Sequence, residues 1–177
     1  MDDAREPQAP WPDDEFVDYA QARQYTLVRA AYLVSGDLRL AEQLVRDALV
    51  RLGRQWERVR EEQPDLFVRR IVYREAVASW RHRPPEEIPS APPQGDLDQQ
   101  WDTDATERRR EVLHALDALT PRQRAVVVLR WFEERAEAEA AQVLGCSVAT
   151  VHAEGVVALG RLRDALPRAD IGSGGVR

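Results

Sequence analysis

Two short helical patterns near the C-terminal end are separated by only three residues, and no other feature of the chain restricts its fold so tightly. Glu137 to Leu144 reads as one helix, Gly145 as the left-handed residue that ends it, Cys146 as the turn and Ser147 as the N-cap of the next helix. A helix, a tight turn containing Gly and a second helix make up the helix-turn-helix, whose second helix lies in the DNA major groove. An ordinary helical hairpin shares that spacing. The second helix also lacks positive charge where DNA would lie. Its first two turns offer Thr150, His152 and Glu154, and no Arg occurs before Arg161.

The segments upstream obey the same helical period. Thr120 as N-cap and Pro121 at the first helical position open "RQRAVVVLRWF". Before it, Val112, Leu113, Leu116 and Leu119 form one face of a further helix, so residues 106–166 hold four helices with the motif last. Residues 15–83 form a second helical block. Phe16, Tyr19, Ala20, Arg23, Leu27, Ala30, Ala31 and Val34 make a stripe that ends at Gly36. Asp37 caps the next helix, with Leu40, Leu44, Ala48 and Leu52 on one side and Gly53 near its end. Asp65 caps a third, in which Phe67, Ile71, Val72, Ala76 and Trp80 recur before Pro84 stops it. No alternating strand pattern occurs. The expected fold is all-α, with two small helical domains joined by an acidic, Pro-rich linker over 84–105, whose X-Pro steps favour extended backbone. Residues 1–14 and 167–177 read as disordered ends.

A net charge of −6 argues against nucleic-acid binding only if it is evenly spread, and it is not. Residues 1–14 carry −4, 15–83 carry +3, 84–105 carry −6, 106–166 are neutral and 167–177 carry +1. The acidity thus lies in the N-terminal segment and the linker. The longest apolar run, Ala125 to Leu129, is far too short to cross a bilayer, and the acidic N-terminus does not resemble a signal peptide. A lone Cys146 excludes an internal disulfide and fits a reducing, cytoplasmic setting. His82, His114 and His152 lie on different helices without metal-ligand spacing, and the "GSGG" cluster precedes no helix. Cys146 reads as a small turn residue. These features imply no catalytic residue, metal, cofactor or small-molecule substrate, and no membrane.

The letters themselves go further than the spacing. "LTPRQRAVVVLR" and "AQVLGCSVATV" resemble region four of bacterial RNA polymerase sigma factors of the extracytoplasmic-function group in the sigma-70 family. "AYLVSGDLRLAEQLVRDALVRLGRQW" and "LFVRRIVYREAVASWRHR" are similar to that family's region two. The resemblance covers both helical blocks, in the family's order and with its acidic linker.

That resemblance implies a factor that joins core RNA polymerase and initiates transcription at promoter DNA, with an anti-sigma factor as a further partner. It places the polymerase clamp contact on Gln43, Leu44, Val45, Arg46 and Asp47, although Gln43, Arg46 and Asp47 depart from the family's "D-x-V-Q-E"-like surface. It places the melted minus-ten element near Arg69, Arg70, Arg74, Trp80, Arg81 and Arg83. Arg can neutralise phosphates there, and an aromatic can stack on an unpaired base. Trp80 reads equally well as a core aromatic at a helix end. The minus-thirty-five element falls to Ser147, Thr150 and His152, with Arg122, Arg124, Arg161 and Arg163 holding phosphates from neighbouring positions. Relatives carry Lys or Arg at the positions of His152 and Val157, so this chain's phosphate contacts are thinned. Glu154 could accept from a cytosine amine, but would repel a phosphate that it faced. A second reading follows from the same departures: a sigma-like protein that binds polymerase or another regulator without reading promoters.

Overall fold

The computed structural model describes residues 14–80 and 111–165. The expected linker over 84–105, Arg81, Arg83 and the segments 1–13 and 166–177 lie outside the described residues. Every regular element among the described residues is helical.

In the first block, α1 (Asp14–Ser35) buries Leu27, Ala30, Ala31 and Val34, the inner half of its expected stripe. It stops at Gly36, where φ is 73° and the N–H donates to the Tyr32 carbonyl at 2.7 Å. Asp37, in extended backbone, then opens α2 (Leu38–Gly53) by accepting the Leu40 N–H at 3.0 Å. A single turn, α3 (Trp56–Val59), follows, too short to show any period in the sequence. Its Trp56 is buried with its ring centroid 5.4 Å from Phe16 and 5.5 Å from Tyr19. Helix α4 (Pro64–Ser79) begins one residue before Asp65, the expected cap. Pro64 takes the first turn because its fixed φ suits a helix start and its missing N–H would have no partner there. Asp65 is therefore inside the helix, and its carboxylate turns outward to other groups.

The second block starts with helical residues 111–117 (α5). Thr120 and Gln123 then form a reciprocal capping box for α6 (Pro121–Val127), each side chain accepting the other's backbone N–H at 3.3 Å. The expected long helix through Phe132 does not stay α-helical. Residues Val128–Phe132 form a π-helical turn, after which Glu134 adopts a left-handed φ of 54°. Helix α7 (Glu137–Leu144) ends on Gly145 at φ 67°, and α8 (Val148–Ala165) begins behind Ser147, whose Oγ accepts the Thr150 N–H at 3.1 Å.

A smaller cluster of Leu116, Leu119 and Ala158 holds α5 against α8, and two larger cores hold most of these helices. One lies within the first block, where Leu27, Ala31, Val45, Leu52, Trp56, Val68 and Val72 are buried together. The other joins the two blocks: Ala30, Val34, Tyr73 and Ala76 pack with Ala125, Val126, Leu129, Ala140, Val143 and Val151. Each large aliphatic side chain enclosed this way stabilises the fold by about 1.5–3 kcal/mol. Helix α4 is consequently buried on two faces, with Val68 and Val72 toward α1 and α2 and Tyr73 and Ala76 toward the second block.

Candidate nucleic-acid and polymerase interfaces

The helix-turn-helix is built as its punctuation requires, and its second helix presents an exposed face of unusual character. Val148, Ala149, His152, Ala153, Val156, Val157 and Leu159 are solvent-exposed, while Val151, Gly155 and Ala158 face the core. Gly155 is close to the Trp131 ring: a Cβ there would lie 3.3 Å from it. Ser147 caps the helix and its hydroxyl is 2.8 Å from that of Thr150, so the two form one polar pair at the tip.

The acid in the N-terminal half of this helix is withdrawn from that face. Glu154 Oε2 accepts from Gln123 Nε2 at 3.0 Å, and Gln123 Oε1 in turn accepts from Arg161 at 2.9 Å. Glu154 thus belongs to a polar chain between α6 and α8, and the phosphate repulsion expected of it does not follow from where it sits. His152 is exposed, with Nδ1 3.0 Å from the Glu137 carboxylate at the start of α7. Arg122 and Arg163 are exposed, as is Arg161 apart from its bond to Gln123.

The remaining basic candidates divide sharply. Arg70 and Arg74 on α4 are exposed. Arg74 lies over the turn of the other block, since a Cβ on Gly145 would collide with its Nη2. Arg124 is 1% exposed. Its Nε donates to the Leu33 carbonyl and its Nη1 bonds Asp117 at 3.2 Å. Trp80 is half-buried, donates its indole N–H to the Val34 carbonyl at 3.2 Å, and lies under the Arg124 guanidinium at 5.5 Å. The core-aromatic reading of Trp80 therefore describes this arrangement, in which both side chains cap the C-terminal carbonyls of α1.

Arg69 is enclosed too, in a network that sequence reasoning missed. Its Nε is 3.1 Å from both oxygens of Glu133, whose side chain is 3% exposed, and its Nη1 is 2.8 Å from Asp65. The Tyr73 hydroxyl donates to Glu133 at 2.9 Å and Tyr19 donates to Asp65 at 3.1 Å. Arg135 pairs with Asp65 at 3.3 Å and Arg23 does so at 3.5 Å. Burial works against the charged form of Arg69, but the two carboxylates outweigh it and raise its pKa. Burial, then the Glu133 charge, pushes the Tyr73 phenol well above its ordinary value, and burial with Asp65 does the same to Tyr19. Burial also acts to raise Asp65, yet Arg69 and Arg23 prevail and hold it below the usual carboxylate range.

On α2, Gln43 and Arg46 are exposed and Asp47 is half-buried, whereas Leu44 and Val45 are core residues at 6% and 1% exposure. The apolar period of the helix turns those two inward, so only Gln43, Arg46 and Asp47 remain available to a partner. Among the described residues no group of His, Cys, Asp and Glu gathers as a metal site, and no single helix is long and apolar enough to cross a membrane.

A capped helix-turn-helix docked on a second helical block defines a DNA-reading protein of two parts. The comparisons give its family. Residues 109–155 match the family model "Sigma-70, region 4". The chain is 35% identical over 162 residues to the RNA polymerase sigma-E factor of Streptomyces coelicolor, which covers 89% of each chain. It is 34% identical to that of Streptomyces avermitilis, over 89% of this chain and 88% of the relative. Among solved structures, the sigma factor RpoE from Bartonella quintana, co-crystallised with the anti-sigma factor NepR, has the same fold at a TM-score of 0.61. It is 21% identical and the match covers 86% of this chain and 97% of that one. The chain belongs to the RNA polymerase sigma factors, in the extracytoplasmic-function group of the sigma-70 family. It acts with core RNA polymerase to direct transcription initiation at promoters.

Proposed function

We propose that the two blocks divide promoter recognition as follows. The N-terminal half of α8 enters the major groove of the minus-thirty-five element. The helix start behind Ser147 holds a phosphate on its backbone amides, and Arg122, Arg161 and Arg163 hold others. Thr150 and His152 meet base edges. Beside them Val148, Ala149, Ala153 and Val156 offer only methyl groups, which suit the C5-methyl of thymine. Arg70 and Arg74 on α4, together with Arg81 and Arg83, follow the melted minus-ten strand. Arg69 and Trp80 can join them, and Arg124 can join the minus-thirty-five contacts, only where the blocks separate. Gln43, Arg46 and Asp47 form the polymerase-facing edge of α2. The protein has no enzymatic activity of its own and works in the cytoplasm. An anti-sigma factor is a further partner.

The observation that carries this reading is the withdrawal of Glu154 into the Gln123–Arg161 chain. It withdraws the Glu154 carboxylate from the groove-facing side of α8, where Glu137 of α7 is paired with His152, so the scarcity of Arg there weakens phosphate contact. Run-off transcription with core polymerase on genomic fragments tests the whole assignment. Asp47→Arg should abolish co-purification with core polymerase and the transcripts while leaving helical circular dichroism unchanged. The exposed apolar face of α8, with Val156 at 59% and Val157 at 48% exposure, favours the second reading, a regulator that binds protein through this helix. Polymerase binding without any promoter-specific transcript would select it.

A further inference from the structure

The segment that leaves α6 is held in a conformation its own sequence does not favour. "VLRWFEER" contains no Gly, yet it forms a π-helical turn and then places Glu134 at φ 54°. π-Turns cluster at functional positions, and a left-handed side-chain residue persists where its surroundings over-determine it. The Arg135 N–H closes the turn on the Leu129 carbonyl at 2.9 Å. The result is that Glu133 and Arg135 both reach across to the first block. Glu133 meets the guanidinium of Arg69 and the hydroxyl of Tyr73, and Arg135 meets Asp65. The charges cross over, an acid from each block facing a base from the other.

What Glu133 offers Arg69 is a delocalised oxyanion with two oxygens at 3.1 Å from one N–H, set in a buried polar network with Tyr73 and Asp65. A DNA phosphate offers the same chemistry, and Arg binds both through the same planar fork. We infer that Glu133 is an internal stand-in for a DNA phosphate, occupying Arg69 while the two blocks are closed and releasing it to the melted strand when they part. This rests on the proposal that α4 faces DNA. Closure covers other candidates at the same time, since Arg124 and Trp80 cap α1. The strained exit of α6 is the device that brings the surrogate carboxylate into place.

The test uses the full chain and a labelled oligothymidylate as single-stranded probe. Glu133→Gln removes the anionic charge but keeps the side-chain shape. It should tighten oligothymidylate binding by about tenfold or more, the worth of one hydrogen bond to a charged partner. The slope of log affinity against log salt should steepen by ~0.7 for the phosphate gained. Adding Arg69→Ala to Glu133→Gln should remove that gain. Tyr73→Phe, which only deletes a donor to Glu133, should shift affinity the same way by a smaller factor and serves if Glu133→Gln does not fold. Unchanged affinity in a folded Glu133→Gln protein, or a gain that survives Arg69→Ala, overturns the inference. Promoter opening by holoenzyme separates this from failure of the underlying reading. If Arg70→Ala impairs opening while Glu133→Gln leaves probe affinity unchanged, the surrogate alone is refuted. If neither Arg70→Ala nor Arg69→Ala affects opening, the DNA reading of α4 falls and the surrogate falls with it.

Discussion

Replacing Arg124 with Met keeps an unbranched side chain in a site where 1% of the residue is exposed, and removes only the guanidinium. Four of the interactions lost can be sized. The bond to the Leu33 carbonyl, among the last four of α1, is a charge-assisted hydrogen bond worth about 1.5–3 kcal/mol. A cation at a helix C-terminus adds about 0.3–1 kcal/mol. The pair with Asp117, whose side chain is 50% exposed, adds roughly 0–1 kcal/mol after screening. The stacking on Trp80 contributes about 0.5–1 kcal/mol. Against these stands the recovered desolvation of a buried charge, which offsets several kcal/mol at most. The net expectation for Arg124→Met is a loss of about 2–3 kcal/mol, because the Leu33 carbonyl is left without its donor. For a chain of this size that is a fall in Tm of about 4–12 °C. Arg122→Met, two residues earlier on the same helix and exposed, should stay within about 0.5 kcal/mol of the parent. Thermal melts followed by far-ultraviolet circular dichroism compare the two. Equal melting of the Arg124→Met and parent proteins, or an equal fall for Arg122→Met, refutes the view that Arg124 ties α6 to the end of α1.

Two further outcomes follow from the shared core. A protease site inserted within residues 84–105 and cut to completion should leave fragments that co-elute in size exclusion, since Ala30, Val34 and Tyr73 remain packed with Val126, Leu129 and Val143. Separate elution would show that the covalent connection holds the blocks together. The second outcome concerns pH. The folded Asp65 carboxyl titrates below its ordinary 3.8, so its stabilisation is complete above that value and is lost as pH falls through the depressed folded value. Asp65→Asn should therefore melt below the parent at neutral pH, and the two Tm values should converge in acid; a constant difference would contradict the Arg69 and Arg23 pairing.

Features decided within one helical turn were legible in the sequence. Asp37, Thr120, Gly145 and Ser147 all occupy the cap positions their chemistry suggested. Each satisfies backbone groups three or four residues away, so no distant partner enters the choice. Pro64 carries the same helix-start signal as Pro121, but Asp65 beside it is also a good N-cap type, so the two signals compete over one residue. The residues whose surroundings stayed hidden are those whose partners are remote in sequence. Arg69 meets Glu133 across 64 residues and Arg124 meets Leu33 across 91. An Arg at a helical stripe position reads as a phosphate ligand until something shows that a carboxylate or a carbonyl has claimed it. A weak signal was present for Arg124, which sits between Gln123 and the apolar run Ala125 to Leu129, where an exposed charge has little room. Nothing local could foretell the π-turn, because Val128–Phe132 has no Gly, Pro or cap, and its geometry answers to Glu133 and Arg135 reaching the first block.

The closed arrangement sorts the candidate surfaces by availability, and that order bears on how a protein of net charge −6 would approach a promoter. Gln43 and Arg46 on α2, and the outer face of α8, are open to solvent while the blocks are together. Arg69 and Arg124 are not. A partner that recognises α2 can therefore dock on the closed form, whereas a melted strand needs the open one. Apparent affinity for a ligand of the open form falls by the open fraction, so a preference of about 2.7 kcal/mol for closure weakens strand binding roughly a hundredfold. Free protein would then bind DNA poorly for two separate reasons, a recognition helix with few cations and a strand-binding helix whose Arg69 is occupied by Glu133. Both deficits are tolerable only if another surface supplies the encounter. On the reading proposed here, polymerase docking through α2 comes first, and separation of the blocks turns the Arg69–Glu133 pair into an Arg69–phosphate pair with little change in local electrostatics.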